Sequence, residues 1–153
     1  MNDIDMSNYD VIDRKNNKLY LNNGSPHLVV NTNNLDLIDV ISEGRRIRFS
    51  DKYKKLGVNV NFVEYNHDNS SCNVRTYERG VEDETLSCGT GAIAVAIALN
   101  YSNIINNQEI KIIMKGGCLL VSFKRKRNAF SNIWLSGDVN EVYKGVIDGD
   151  IKR

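Results

Sequence analysis

A chain of 153 residues, 41% hydrophobic and 25% charged, has the composition of a soluble globular protein with enough apolar surface for one core. Its 20 basic and 19 acidic residues are interspersed and leave a formal charge of +1, so no field of one sign recruits nucleic acid or an anionic membrane. The apolar run 92–99 is far too short to span a bilayer, and the acidic, polar start MNDIDMSNYD lacks the basic-then-apolar order of a signal peptide, so a single cytoplasmic domain is expected.

Lys18 to Leu21 is a short β-prone run, Asn23-Gly24 is a turn signal, and His27 to Val30 reads as the returning strand of a hairpin. Between Asn34 and Ser42, the residues Leu35, Leu37, Ile38 and Ile41 fall roughly on one helical face ahead of Gly44, which predicts a short amphipathic helix there. Strands are predicted over Val58 to Tyr65 and Cys72 to Tyr77. Glu78 to Ser87 then forms a polar, acidic loop that ends at a Gly-rich step into a helix from Gly89 to Asn100. The body of that helix, Ala92 to Leu99, is apolar on every face, whereas a surface helix carries a polar stripe, so sheet must enclose it on nearly every side. Glu109 to Met114 and Cys118 to Lys124 form a hairpin about Lys115-Gly116-Gly117, and two further strands are expected at Ser131 to Leu135 and Glu141 to Val146. The sum is an α+β domain of mostly antiparallel strands wrapped around one buried helix, with no internal repeat or linker.

Three cysteines, Cys72, Cys88 and Cys118, are odd in number and make no CxxC pair, which argues against a disulfide framework or a thiolate zinc site. Cys72 and Cys118 lie in predicted strands without an activating pattern and are read as inert core thiols. Cys88 differs, because it stands where the buried helix begins. The first N–H groups of a helix are unpaired and carry the positive end of its dipole, so they receive a carboxylate and favour a thiolate, lowering the thiol pKa toward neutrality. Gly89 and Gly91 allow close approach of a ligand and Thr90 adds a hydroxyl. The plainer alternative, a small buried core residue, suits the acidic loop and the Gly-Thr-Gly step less well.

Glu78 and Arg79 close a predicted strand, where side chains can converge on a helix terminus. Arg79 can clamp a carboxylate bidentately, and Glu78 can bind an ammonium or tune the thiol, although each alone is equally consistent with a surface ion pair. His27 follows the rigid Gly24-Ser25-Pro26 turn and could partner a thiol, against the usual structural role of an isolated histidine. His67, Glu82, Asp83 and Glu84 read as solvated, and Lys124-Arg125-Lys126-Arg127, without interleaved aromatics, reads as a solvated turn and no RNA site. The abundance of Asn, Lys and Ile is read as base-composition bias of the gene, so Asn-rich stretches are given little weight.

In order, Gly24-Ser25-Pro26-His27, Gly57-Val58-Asn59-Val60-Asn61-Phe62-Val63, the run from Arg75 through Glu78-Arg79 to Cys88-Gly89-Thr90-Gly91, and the Gly116-Gly117 hairpin resemble the C-terminal half of the diaminopimelate epimerase family. The resemblance implies a barrel-like sheet around a central helix and a reaction without cofactor. Two cysteines on opposite faces of the α-carbon would interconvert LL- and meso-diaminopimelate for lysine and peptidoglycan precursors. It implies that Cys88 is one acid/base thiol, that Gly89 and Thr90 hold the reacting carboxylate, that Asn59 and Arg79 grip the distal end, and that His27 and Glu78 tune the thiols. Ser25 stands where many members carry Asn, which puts the distal hydrogen bond there in question.

The family's first lobe, with its own cysteine motif, has no counterpart in this sequence. The expectation is therefore a C-terminal lobe that works with a first lobe from another chain, binding a small amino acid, with a homodimer implied for the intact enzyme. Its Glu141 to Ile147 strand would lack a partner. Alternatives are another cofactor-independent racemase, which would not need Arg79, a Cys88–His27 thiol hydrolase, and an inactive lobe kept as an assembly partner.

Overall fold

Apolar residues alternate along most of the predicted strands, and this places one face of each against a common helix. The computed structural model describes residues 2–8, 18–66 and 71–146. In chain order its elements are β1 (Ile4–Asp5), β2 (Lys18–Asn22), β3 (Pro26–Asn31), α1 (Val40–Arg48), β4 (Asn59–Asn66), β5 (Ser71–Glu78), β6 (Asp83–Thr85), α2 (Gly89–Tyr101), β7 (Glu109–Met114), β8 (Gly117–Lys126) and β9 (Ala129–Gly137). The strands form one curled nine-stranded sheet in the order β1-β9-β8-β7-β5-β4-β3-β2, with β6 added to β5. Pairing is antiparallel except for β3–β4 and β5–β7.

Helix α2 lies in the hollow of this sheet, buried without interruption from Gly91 to Asn100. Its alanines let strands approach closely, while Ile93, Val95, Ile97 and Leu99 pack into one core with Leu21, Val29, Val63, Val74, Ile110, Ile112, Val121 and Phe130. The C-terminal end is stoppered by Arg125, whose Nη1 donates to the Asn100 carbonyl and to Asn100 Oδ1 (3.0 Å), with its guanidinium over the rings of Tyr101 and Phe130. A cation on the last carbonyls of a helix meets the negative end of its dipole. The expected solvated turn is thus corrected at Arg125, a half-buried cap for the central helix.

A smaller core lies on the other face of β3, β4 and β5, where α1 covers Leu28, Val60, Phe62 and Tyr77. The predicted helix over 34–42 is displaced: Leu35–Leu37 is a single 3-10 turn, and α1 starts only at Val40. Asp39 is the reason, since its carboxylate accepts the Ser42 N–H (3.0 Å) and caps the helix there. The helix then runs through Gly44, whose missing side chain makes room for Tyr77. Residues 141–146, expected as a strand, are exposed and pair with no strand of the described sheet, while β1 contributes an unforeseen pairing with the start of β9. The acidic loop holds the short strand β6. Within it Glu84 is largely buried, bound by Arg75 (2.7 and 2.8 Å) and Lys115 (2.9 Å), and Glu82 accepts from Arg48 and Tyr77, so neither is simply solvated. His67 lies outside the described residues.

Candidate active site

Because successive strand residues face opposite ways, β3, β4 and β5 turn His27, Asn59, Asn61, Thr76 and Glu78 toward α2, while Leu28, Val60, Phe62 and Tyr77 go to the second core. Register aligns these polar residues across the sheet: His27 beside Asn59, Asn61 beside Thr76, and Thr76 beside Thr85 of β6. The chain leaves β6, passes Leu86-Ser87 and enters α2 with Cys88 as its N-cap, so the helix begins directly over this polar row. Gly116 N–H holds the Leu86 carbonyl at 2.7 Å and fixes the entry.

Cys88 is buried, and its Sγ lies 3.6 Å from Thr90 Oγ1. Thr90 Oγ1 is in turn 3.1 Å from His27 Nε2, and the Thr90 carbonyl accepts from Asn23 Nδ2 at 2.8 Å. Asn59 is committed within the lobe: its Nδ2 donates to Ser25 Oγ (2.9 Å) and the Pro26 carbonyl (3.1 Å), and its Oδ1 accepts the Arg79 N–H (2.9 Å). This amide ties the turn before His27 to the end of β5. Ser25, having accepted that bond, still has its own hydroxyl proton to offer. Glu78 accepts the Thr85 hydroxyl at 3.1 Å, and Arg79 reaches out to the Leu56 carbonyl at 2.7 Å, an exposed guanidinium at the rim. The structure therefore brings Cys88, Thr90, Gly89, His27, Asn59, Ser25 and Glu78 to one end of α2, with Arg79 at the margin.

Burial sets the proton states. His27 is fully enclosed, and desolvation, aided by the Arg79 charge, pushes its pKa down to about 4, so it is neutral at pH 7. The Cys88 thiol is raised, chiefly by desolvation and also by the Glu78 carboxylate. The Thr90 hydroxyl and the N–H groups of Gly91 and Thr90 pull the other way without prevailing. The expected shift toward neutrality is thus corrected: the helix dipole acts at Cys88, but burial outweighs it, and the resting group is the protonated thiol. Burial alone pushes Cys72 up to about 12, whereas Cys118, expected in the core, is exposed on β8. Among the described residues no group of three or more His, Cys, Asp or Glu is placed to hold a metal ion.

Asn61 and Thr76 belong to this row and were not foreseen. Asn61 Nδ2 lies 3.2 Å from His27 Nδ1, and Asn61 Oδ1 accepts the Thr76 hydroxyl at 3.0 Å. The available signal was two asparagines, Asn59 and Asn61, at strand spacing in an otherwise apolar run. Two apolar side chains lie at the edge of the site: Leu86 is 69% exposed, and Leu135 comes within 3.1 Å of where a Gly89 side chain would start. The described residues contain no helix long and apolar enough to cross a membrane.

A central apolar helix in a curled sheet defines an α+β lobe whose fold is similar to that of a protein described as a predicted epimerase from Pseudomonas aeruginosa. That structure superposes with a TM-score of 0.52 at 16% identity, over 69% of this chain and 35% of that one. A phenazine biosynthesis protein of the PhzF family from Bacillus anthracis gives a TM-score of 0.50 at 20% identity, over 88% and 40%. These likenesses concern the fold. The sequence model of the family described as diaminopimelate epimerase matches residues 19–142. Curated diaminopimelate epimerases from Flavobacterium psychrophilum and Aquifex aeolicus are 45% and 35% identical over 94% and 87% of this chain. The chain belongs to the diaminopimelate epimerase family. It spans about half the length of the curated relatives it matches, 56% and 47% for these two.

Proposed function

We propose that this chain is one lobe of a diaminopimelate epimerase that needs no cofactor, with Cys88 as the acid/base thiol on one face of the substrate α-carbon. The family's other lobe supplies the opposing thiol. The observation that carries the reading is the enclosed Cys88 thiol at the start of α2, flanked by Thr90 and a neutral His27. In the direction that starts from protonated Cys88, the opposing thiolate takes the α-proton, the Cα–H electrons remain on the substrate, and Cys88 delivers its proton to the other face. The configuration inverts, and the two sulfurs exchange protonation states, ready for the reverse reaction. Charge developing on the reacting carboxylate is met by the Gly89 and Thr90 N–H groups at the helix N-terminus.

The distal amino-acid end falls to Arg79, Ser25 and Asn59, of which Arg79 supplies the charge and Asn59 chiefly holds the other two in place. Glu78 and His27 set the proton affinity of the thiol, Glu78 by its charge and His27 through Thr90. The apolar rim at Leu86 and Leu135 supports a covering lobe, since a site that removes so weak an acid must exclude water. The setting is the cytoplasm, and the product serves lysine and peptidoglycan precursor synthesis.

The test is α-proton exchange of diaminopimelate in D₂O, followed by NMR, with this chain alone, with the first half of the Flavobacterium psychrophilum relative added, and with Cys88→Ala. Exchange only with both lobes and intact Cys88 is expected. Equal exchange by the chain alone would overturn the two-lobe reading, and exchange that survives Cys88→Ala would overturn the role of the thiol.

A further inference from the structure

Asn61 lies in the middle of β4, wholly buried, where an apolar residue would serve the core without the cost of enclosing an amide. Its orientation is determined by its neighbours. The Nδ2 is 3.3 Å from the Leu28 carbonyl, which can only accept, and the Oδ1 takes the Thr76 hydroxyl. The NH₂ end therefore points toward β3, where the same Nδ2 meets His27 Nδ1 at 3.2 Å. An NH₂ group donates, so Nδ1 is the acceptor, and the neutral ring carries its proton on Nε2. Nε2 lies against Thr90 Oγ1 and donates to it, which leaves the Thr90 hydroxyl proton free for Cys88 Sγ.

We infer that Asn61 is a positioning residue: by fixing the His27 tautomer it orders the chain Thr76→Asn61→His27→Thr90→Cys88, so that the last donor points at sulfur. The inference rests on the reading of Cys88 as the reacting thiol. A donor at sulfur stabilises thiolate over thiol and so eases delivery of the Cys88 proton, against the burial and the Glu78 charge that hold it. The charged and titratable groups facing this pair are Glu78 from β5, His27 from β3, and Arg79 beyond it. The first turn of α2 adds no acidic residue. With the amide replaced by an apolar group, His27 is free to place its proton on Nδ1, Nε2 becomes an acceptor, and the Thr90 hydroxyl turns away from sulfur.

Two measurements test this, in a Cys118→Ser background because Cys118 is the exposed thiol. First, the ¹⁵N shifts of His27 in labelled full chain report the tautomer directly. A bare Nδ1 with protonated Nε2 is expected, and the opposite tautomer or a mixture overturns the inference. Second, iodoacetamide alkylation of Cys88 is followed against pH. Asn61→Leu and Thr90→Val are each expected to move the alkylation profile to higher pH and slow the reaction about three- to tenfold at fixed pH, the worth of one hydrogen bond. The double variant is expected to match Thr90→Val alone. An unmoved profile in folded Asn61→Leu, or a double variant slowed by the product of the two effects, overturns it. Should Asn61→Leu not fold, the histidine shifts and Thr90→Val decide. Loss of substrate exchange with both lobes present, at an unchanged His27 tautomer, would count against the epimerase reading and leave the relay standing.

Discussion

Gly91 and Asn61 are in such close contact that a side chain begun at Gly91 would sit 2.6 Å from Asn61 Oδ1 and 3.1 Å from Cys88 Sγ. The glycine thus admits β4 to the start of α2, and the thiol, the amide and the imidazole share one small volume. Gly91→Ala should cost about 1–3 kcal/mol of stability by overpacking, despite the roughly 1 kcal/mol that alanine adds to helix propensity. Urea unfolding measures the net effect. A more stable variant with unchanged Cys88 alkylation would show that the contact is looser than the structure has it.

His27 gives the protein an acid-side liability. Its pKa is pushed from 6.5 down to about 4 in the folded chain, so between these values the unfolded state binds a proton that the folded state refuses. Stability is then fully present above pH 6.5 and is lost as pH falls toward 4. At about 1.4 kcal/mol per pH unit, roughly 3 kcal/mol is at stake. Unfolding free energies of the wild type and His27→Gln should converge as pH falls from 7 to 4.5. Parallel curves would mean that the imidazole is more hydrated than its burial implies.

Elements defined by alternation, and the apolar helix from Gly89, were readable from local pattern. The same holds for the position of Cys88 at its start, because the Gly-Thr-Gly step marks a helix entry irrespective of tertiary context. What was misread depended on distant residues. Gly44 looked like a helix stop but is a contact residue for Tyr77, thirty-three positions later, and Arg125 looked solvated until Asn100 came beneath it. Asn61 was passed over because asparagine is so common in this chain that its value as a signal was discounted. Only its register beside Thr76 and its contact with His27 separate it from the rest. The proton state of Cys88 was also beyond local reading, since the dipole is set by the helix but burial by the whole sheet.

Gly44 offers a sharp test of the second core. A Cβ there would lie 2.4 Å from Tyr77 Cβ, atoms that no rotamer change can move apart, so α1 must shift off the sheet. Gly44→Ala would raise helix propensity by about 1 kcal/mol were the position open, but here a net loss of about 2 kcal/mol or more is expected. Urea unfolding followed by far-UV circular dichroism measures the net change in stability. Stabilisation would refute the packing of α1 on β5.

Arg75 ties together β5, β6 and the segment before α1, and its removal should cost more than that of the other charged residues. Its Nε and Nη2 hold Glu84 in a fork (2.7 and 2.8 Å), while Nη1 donates to the carbonyls of Leu35 (3.1 Å) and Ile38 (3.0 Å) before α1. Truncation leaves a nearly buried carboxylate with only Lys115, and two carbonyls without their donor. Arg75→Ala should therefore lose about 2–4 kcal/mol, a little below the range for breaking a fully buried pair because the guanidinium retains some solvent contact. Arg75→Lys should recover less than half of this, because one ammonium cannot reproduce the fork and also reach both carbonyls. In the double variant Arg75→Ala, Glu84→Gln, removing the stranded charge should restore part of the loss. Denaturant unfolding of the wild type, Arg75→Ala, Glu84→Gln and the double variant gives the coupling energy. A value within about 0.5 kcal/mol of zero would reduce this cluster to an ordinary surface ion pair.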